Sequence, residues 1–390
     1  MSEPSPTETA SVAAVTLAST EEKPAPRRTR RRHPRRPRRH DEVETQNGAG
    51  WLFVLPVVII LGLFLFLPVI AAMWVSVSNW SGKGSPVHAD FVGFDNYRKL
   101  LTTSGLAQRD LATSVRNNMY YVLLVVPLQT IVALGLALVL NARRLKGKGF
   151  FRTAFYFPSV TSTVAIITVF LFLFTASGSI NTMLEWFGIH GPRWFSDSRG
   201  VLHQLLSGIG VLDPKHPPGW MTGHRFLGIT FYEWLAGPSV AMCALIFLAV
   251  WTTGGTFMLL FLAALQDIPD DLLEAASVDG ASSAQAFRKV TLPLLRPTMF
   301  LVITLGLIGT WQVFDQVQLG TKGGPSKTTI TPAYLSYDTS FTGGKWGQGA
   351  AISFILFGII IVMNIIQRII MRERRPKSAR HQRRVIFDSR

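Results

Sequence analysis

Cysteine is almost missing from this chain: Cys243 alone serves 390 residues, and it sits inside an apolar block. No intrachain disulfide and no cysteine-rich zinc site can be built from it. Charge is scarce as well, at 16% of residues against 48% hydrophobic. No Gly-x-x-x-x-Gly-Lys-Ser/Thr stretch occurs, so the chain has no phosphate-cradling loop with which to hydrolyse ATP itself. A His-Glu-x-x-His motif, a nucleophile elbow and paired histidines are also lacking, and the eight histidines are scattered through tails and loops. No catalytic residue and no metal site are expected, and the chain reads as a non-enzyme.

What is abundant is apolar sequence in long blocks. About 20 helical residues are needed to cross the hydrocarbon core, and 18 or more apolar residues in a row signal a crossing. Six windows qualify, at 52–77, 118–141, 154–176, 239–265, 298–320 and 349–371. A lone helix satisfies its own backbone polar groups in lipid. The expected fold is therefore an all-α membrane protein with six transmembrane helices. The first window begins at Trp51, too far from the start and too long for a cleavable leader, so it reads as a retained anchor.

The net charge of +16 is concentrated at the ends. Residues 27–39 hold nine arginines and residues 372–390 hold eight basic side chains, which together exceed the whole excess. Such runs suit the anionic lipids of a cytoplasmic leaflet, so membrane lipid is the expected partner and nucleic acid is not. Positive charge marks the cytoplasmic side. Six crossings put both basic tails there, and the short basic loop at 143–152 and the 266–297 segment fall on the same side. This predicts a multi-pass membrane protein with both termini on the cytoplasmic side. Residues 1–50, rich in Ser, Thr, Pro, Glu and Arg, read as a disordered basic tail. Residues 51–371 form the membrane domain and 372–390 a second basic tail. An outer insertion at 190–238 is expected to fold as short helices, with amphipathic pieces near 201–211 and 225–235.

One inner segment, 267–297, reads DIPDDLLEAASVDGASSAQAFRKVTLPLLRP. Pro269 suits a helix start, and Asp270 and Asp271 favour the positive end of its dipole. Asp279-Gly280 is turn chemistry, and Ser282 with Gln285 has capping-box spacing for a second helix. Pro293 is expected to end that helix and Pro297 to start the next span. Ala275, Ala276, Gly280 and Ala281 leave little bulk at the turn, which permits close docking of another surface.

This segment resembles the EAA loop of binding-protein-dependent ABC importer permeases. Glu274-Ala275-Ala276, Asp279-Gly280-Ala281, Phe287 and Leu292-Pro293 stand in that family's order and spacing. FVGFDNYRKLL (91–101), FFRTAFYFPSV (150–160) and WQVFDQVQLGTKGGPSKTT (311–329) extend the likeness to the first permease of a carbohydrate system of the maltose or glycerol-phosphate type. Lys322 stands where that family has glycine. The resemblance implies the type I ABC importer permease fold and a chain that binds no cofactor, since ATP and magnesium belong to a partner ATPase. Implied partners are ABC ATPase subunits, a second permease, an extracytoplasmic solute-binding protein and a sugar. Glu274 and Asp279 would contact the ATPase, Gly280 would allow the sharp turn, and Phe287 would anchor the loop.

Polar groups inside a span are costly and tend to line a cavity. Asp315 is the outstanding case, with Trp311, Gln312 and Phe314 beside it and Asn118 and Gln129 on the second window. These six are the candidates for a substrate path. The rival reading is a secondary transporter driven by an ion gradient. It would be expected to carry internal repeats and more intramembrane ionisable groups.

Overall fold

A computed structural model describes residues 41–142, 145–211, 213 and 217–371. The two arginine-rich tails at 27–39 and 372–390, Arg143 and Arg144 of the basic loop, and residues 214–216 lie outside them. The chain divides into two units, 1–61 and 62–390.

Within the first unit, helix α1 (Asp41–Leu61) exposes every side chain from Trp51 to Leu61. So much unpaired apolar surface is unsuited to water and suited to lipid. The second unit carries α2 (Leu67–Ser76), α3 (Leu106–Asn141), α4 (Lys148–Val160) and α5 (Thr163–Leu173). Then come α6 (Val201–Gly208), the hairpin β1 (Arg225–Phe226) and β2 (Ile229–Thr230), and α7 (Val240–Gln266). The chain ends with α8 (Asp270–Val278), α9 (Ser283–Ala286), α10 (Arg296–Trp311) and α11 (Trp346–Ile370).

Four helical stretches are long and apolar enough to cross a membrane: Gly50–Ser76, Leu106–Asn141, Val240–Gln266 and Trp346–Ile370. The count reaches six when two bent pairs are each taken as one span. The third window is not a single rod, because α4 and α5 meet at 96°. The break falls in the run Ser159-Val-Thr-Ser-Thr163, where hydroxyls compete for the backbone. Thr161 and Ser162 are non-helical there, and the Thr161 hydroxyl takes the Phe157 carbonyl at 2.8 Å. The fifth window is also shorter than its apolar run, since α10 stops at Trp311. Asn118 Nδ2 donates to the Trp311 carbonyl at 3.2 Å, serving one of the acceptors that a helix end leaves open.

Packing centres on α7, the most enclosed of the spans. Ala133 and Ala137 of α3 lie against the row Phe257, Phe261 and Leu265 of α7. Small residues bring helices together where lipid supplies no hydrophobic drive. At Gly255 an added Cβ would fall 2.3 Å from the Phe155 carbonyl oxygen of α4. Polar bonds cross the same interfaces, with Thr253 Oγ1 donating to Gln129 Oε1 at 2.9 Å and Gln367 Nε2 to Thr304 Oγ1 at 2.8 Å. On α11, Ile352, Leu356 and Ile360 are buried, whereas Phe357, Ile361, Ile365 and Ile369 are exposed. That division gives one helix a protein face and a lipid face.

The insertion departs from the expectation of short helices alone. A helix forms at α6, but 225–235 folds as the β1–β2 hairpin followed by one helical turn, Phe231–Trp234. Leu227 and Gly228 occupy the hairpin turn with φ of 50° and 82°. A glycine in mid-segment disfavours a continuous helix, and Thr230 and Glu233 form a complete capping box that starts the helix late.

Candidate functional site

The 267–297 segment is a helical hairpin whose caps are local. Pro269 precedes α8, with Asp270 and Asp271 in its first turn. At its end the Gly280 amide donates to Ser277 O at 3.0 Å and the Ala281 amide to Ala276 O at 2.9 Å. With Gly280 at φ 78°, this is a Schellman stop, which requires a left-handed residue. Ser282 and Gln285 then cap α9 reciprocally, as their spacing predicts.

Glu274, Ala275, Asp279 and Gly280 are exposed, and Val278 is 88% exposed. Ala276, Ala281, Phe287 and Pro293 are half-buried. Pro293 does not end the second helix, contrary to expectation. A π-turn over Phe287–Thr291 sends the Leu292 amide five residues back to Phe287 O, and the helix runs on to Leu294. The wider turn relieves the position that a proline ring and its missing N–H would disrupt. The chain then bends by 66° at Leu295, which is fully buried, and α10 follows with Pro297 in its first turn. Beside α8 an open groove of about 740 Å³ is lined by Asn141, Gln266, Asp267, Leu273 and Glu274 among others.

Two further cavities, of about 310 and 250 Å³, adjoin between α3, α5, α7 and α10 and share Thr163, Thr253, Phe257 and Gln316. Gln129, Gln312, Phe314 and Asp315 line the second. Trp311 and Asn118 line neither. Trp311 is 2% exposed and packs with Val122, Val126, Leu307, Leu356 and Ile360, and Asn118 is fully enclosed. Sequence reading missed Tyr121, Gln316 and the threonines 163, 252, 253 and 256. Gln316 Oε1 accepts from the Tyr121 hydroxyl at 2.7 Å. The pattern Thr252-Thr253-x-x-Thr256 inside an apolar window was the available signal.

The start of α3 clasps two loops. Arg109 pairs with Glu233 at 2.7 Å, and Arg116 Nη1 donates to Glu233 O at 3.0 Å. Asp110 pairs with Lys327 at 2.7 Å, while Asn117 Nδ2 donates to Lys327 O and Ile330 O. Burial pushes the Glu233 carboxyl upward, but the Thr230 backbone and the Arg109 guanidinium together hold it below its ordinary value. Lys322, the departure from glycine, adopts φ 49° at the end of a π-turn. Among the described residues no group of three His, Cys, Asp or Glu is placed to hold a metal.

Residues 121–376 match the family described as "Binding-protein-dependent transport system inner membrane component". The chain is 30% identical over 320 residues to the multiple sugar-binding transport system permease protein MsmF of Streptococcus mutans, covering 82% of this chain and 93% of that protein. It is 30% identical over 329 residues to the trehalose/maltose transport system permease protein MalF of Thermococcus litoralis, covering 84% and 94%. Its fold is similar to a crystallised bacterial ABC transporter involved in import of the acidic polysaccharide alginate. There the TM-score is 0.63 at 19% identity, covering 85% of this chain and 97% of that one.

Proposed function

The chain belongs to the family of binding-protein-dependent transport system inner membrane components, and from that premise we propose that it is the permease subunit of an ATP-driven sugar importer, moved by its ATPase through the 267–297 loop. It is a multi-pass membrane protein of the type I permease fold. The observation that carries the coupling role is the exposed helix α8 with its Schellman stop. Glu274 and Asp279 stand uncovered on α8 and its C-terminal cap, and the chain runs from there through α9 and the buried Leu295 into α10. In this reading an ATPase seats that helix, and its closure on ATP tilts α8 and α9 as a lever on α10.

The relatives' names speak of sugar systems, and a second structural neighbour is titled as a complex with an alginate pentasaccharide-bound periplasmic protein. They support a sugar as cargo and a solute-binding protein as donor. Six spans make half a pathway, so a second permease completes it, and alternating access opens the two halves in turn. The nucleotide and its magnesium are held by the ATPase. Both termini and the 267–297 loop face the cytoplasm, and the 190–238 insertion faces outward. Cavity-lining Gln129, Gln312, Phe314 and Asp315 stand on the substrate path.

The rival secondary transporter predicts a different energy source. In whole cells, depleting ATP while the ion gradient is held should stop uptake of the labelled sugar. Collapsing the gradient with ATP maintained should leave it running. The opposite pair of results would place the chain among gradient-driven carriers.

A further inference from the structure

The two joined cavities have a one-sided chemistry. Their polar side chains are hydroxyls and amides, together with a single carboxylate, Asp315. Among the described residues no lysine, arginine or histidine lines either one. Asp315 is exposed and makes no ion pair among the described residues. Gln129 is 1% exposed, and its Oε1 is taken by Thr253 Oγ1. Its Nε2 has no hydrogen-bond partner among the described residues. Gly306 faces that nitrogen, where an added Cβ would come within 2.3 Å.

We propose that this cavity selects neutral polyhydroxylated solutes and rejects anionic ones such as uronates and sugar phosphates. The proposal rests on the reading of the cavity as the substrate path. A neutral sugar offers a donor and acceptors at every hydroxyl. The Gln129 and Gln312 amides can donate to it, and the Asp315 carboxylate can accept from it. An anion would find no cation among the residues this chain contributes to the lining and would face the Asp315 carboxylate, whose like charge repels it. Hence the field of the cavity, and not only the choice made by a binding protein, filters charge.

The test uses the importer assembled with its partner subunits, in a Cys243→Ser background carrying Gln312→Cys. The rates of modification by an ammonium-bearing and a sulfonate-bearing methanethiosulfonate are each normalised to a free thiol. The ammonium reagent should be favoured about tenfold, and Asp315→Asn should bring the ratio close to one. Thr253→Cys, at the junction of the cavities, repeats the measurement should Gln312→Cys fail to assemble. An equal ratio, or a preference for the sulfonate, with the thiol readily modified would overturn charge filtering and leave the path reading intact. Inertness toward both reagents at both positions would instead overturn the path reading, and charge filtering with it.

Discussion

Gly280→Val is expected to cut uptake at least about tenfold while leaving the chain in the membrane at its normal level. Gly280 holds φ 78°, and an added Cβ would meet nothing within 4 Å. The penalty is therefore one of backbone conformation, not of collision. An L-residue in the left-handed region costs about 1–2 kcal/mol, and a β-branched one more. Because 1.4 kcal/mol is a factor of about ten, the population with α8 closed by its Schellman stop falls in proportion. The side chain decides the order: Gly280→Asn should retain most uptake, Gly280→Ala less, and Gly280→Val least. Uptake kinetics beside membrane abundance would check this. Equal uptake by all three would mean that the turn does not set the position of the loop.

Gly255→Leu should fail to accumulate as a folded protein, and Gly255→Ala should already melt several degrees lower in detergent. The Cβ at this position would lie 2.3 Å from Phe155 O, 2.8 Å from the Tyr156 Cα and 2.8 Å from Ser159 Oγ. Two of these are backbone atoms, which cannot rotate away, so α4 would have to leave α7. Overpacking of this kind costs roughly 1–3 kcal/mol, and leucine adds further bulk. It would also disturb the bond from Ser159 Oγ to Thr252 O at 2.7 Å in the wall of the larger cavity. The neighbouring Gly254→Ala is the control, since its Cβ would meet only Val132 Cγ1 at an ordinary 3.7 Å. Thermal unfolding followed by size-exclusion chromatography separates the two, and equal losses at 254 and 255 would refute the close-approach argument.

Hydropathy located all six apolar windows, because burial in lipid imposes a length that few other constraints mimic. It could not place the breaks. The 96° bend at Thr161 and Ser162 depends on side-chain hydroxyls taking backbone carbonyls, and the bend at Leu295 depends on what buries that leucine. The hairpin of 267–297 was more legible, since Pro269, Gly280 and the Ser282–Gln285 pair act within a few residues of themselves. Pro293 misled because a π-turn, a tertiary accommodation, absorbs it.

Of the cavity residues, Asp315 and the glutamines stand out against apolar surroundings. Trp311 faces the other way, which only the neighbouring helices determine. The threonines were quiet for a physical reason. Thr252 satisfies itself on the Leu248 carbonyl, so its polarity costs a span little and marks it weakly. The β1–β2 hairpin was readable from Gly228 and the Thr230–Glu233 capping box, yet the amphipathic pattern of the same stretch pointed to helix.

The coupling role of α8 is tested most directly by purifying the tagged chain from its native membrane beside a Glu274→Ala, Asp279→Ala double variant. The native chain should bring down an ATPase and a second permease. The variant should keep the permease and lose the ATPase, because both carboxylates stand exposed on α8 and its C-terminal cap. A native chain that comes down alone under gentle detergent and still transports without ATP would contradict the account.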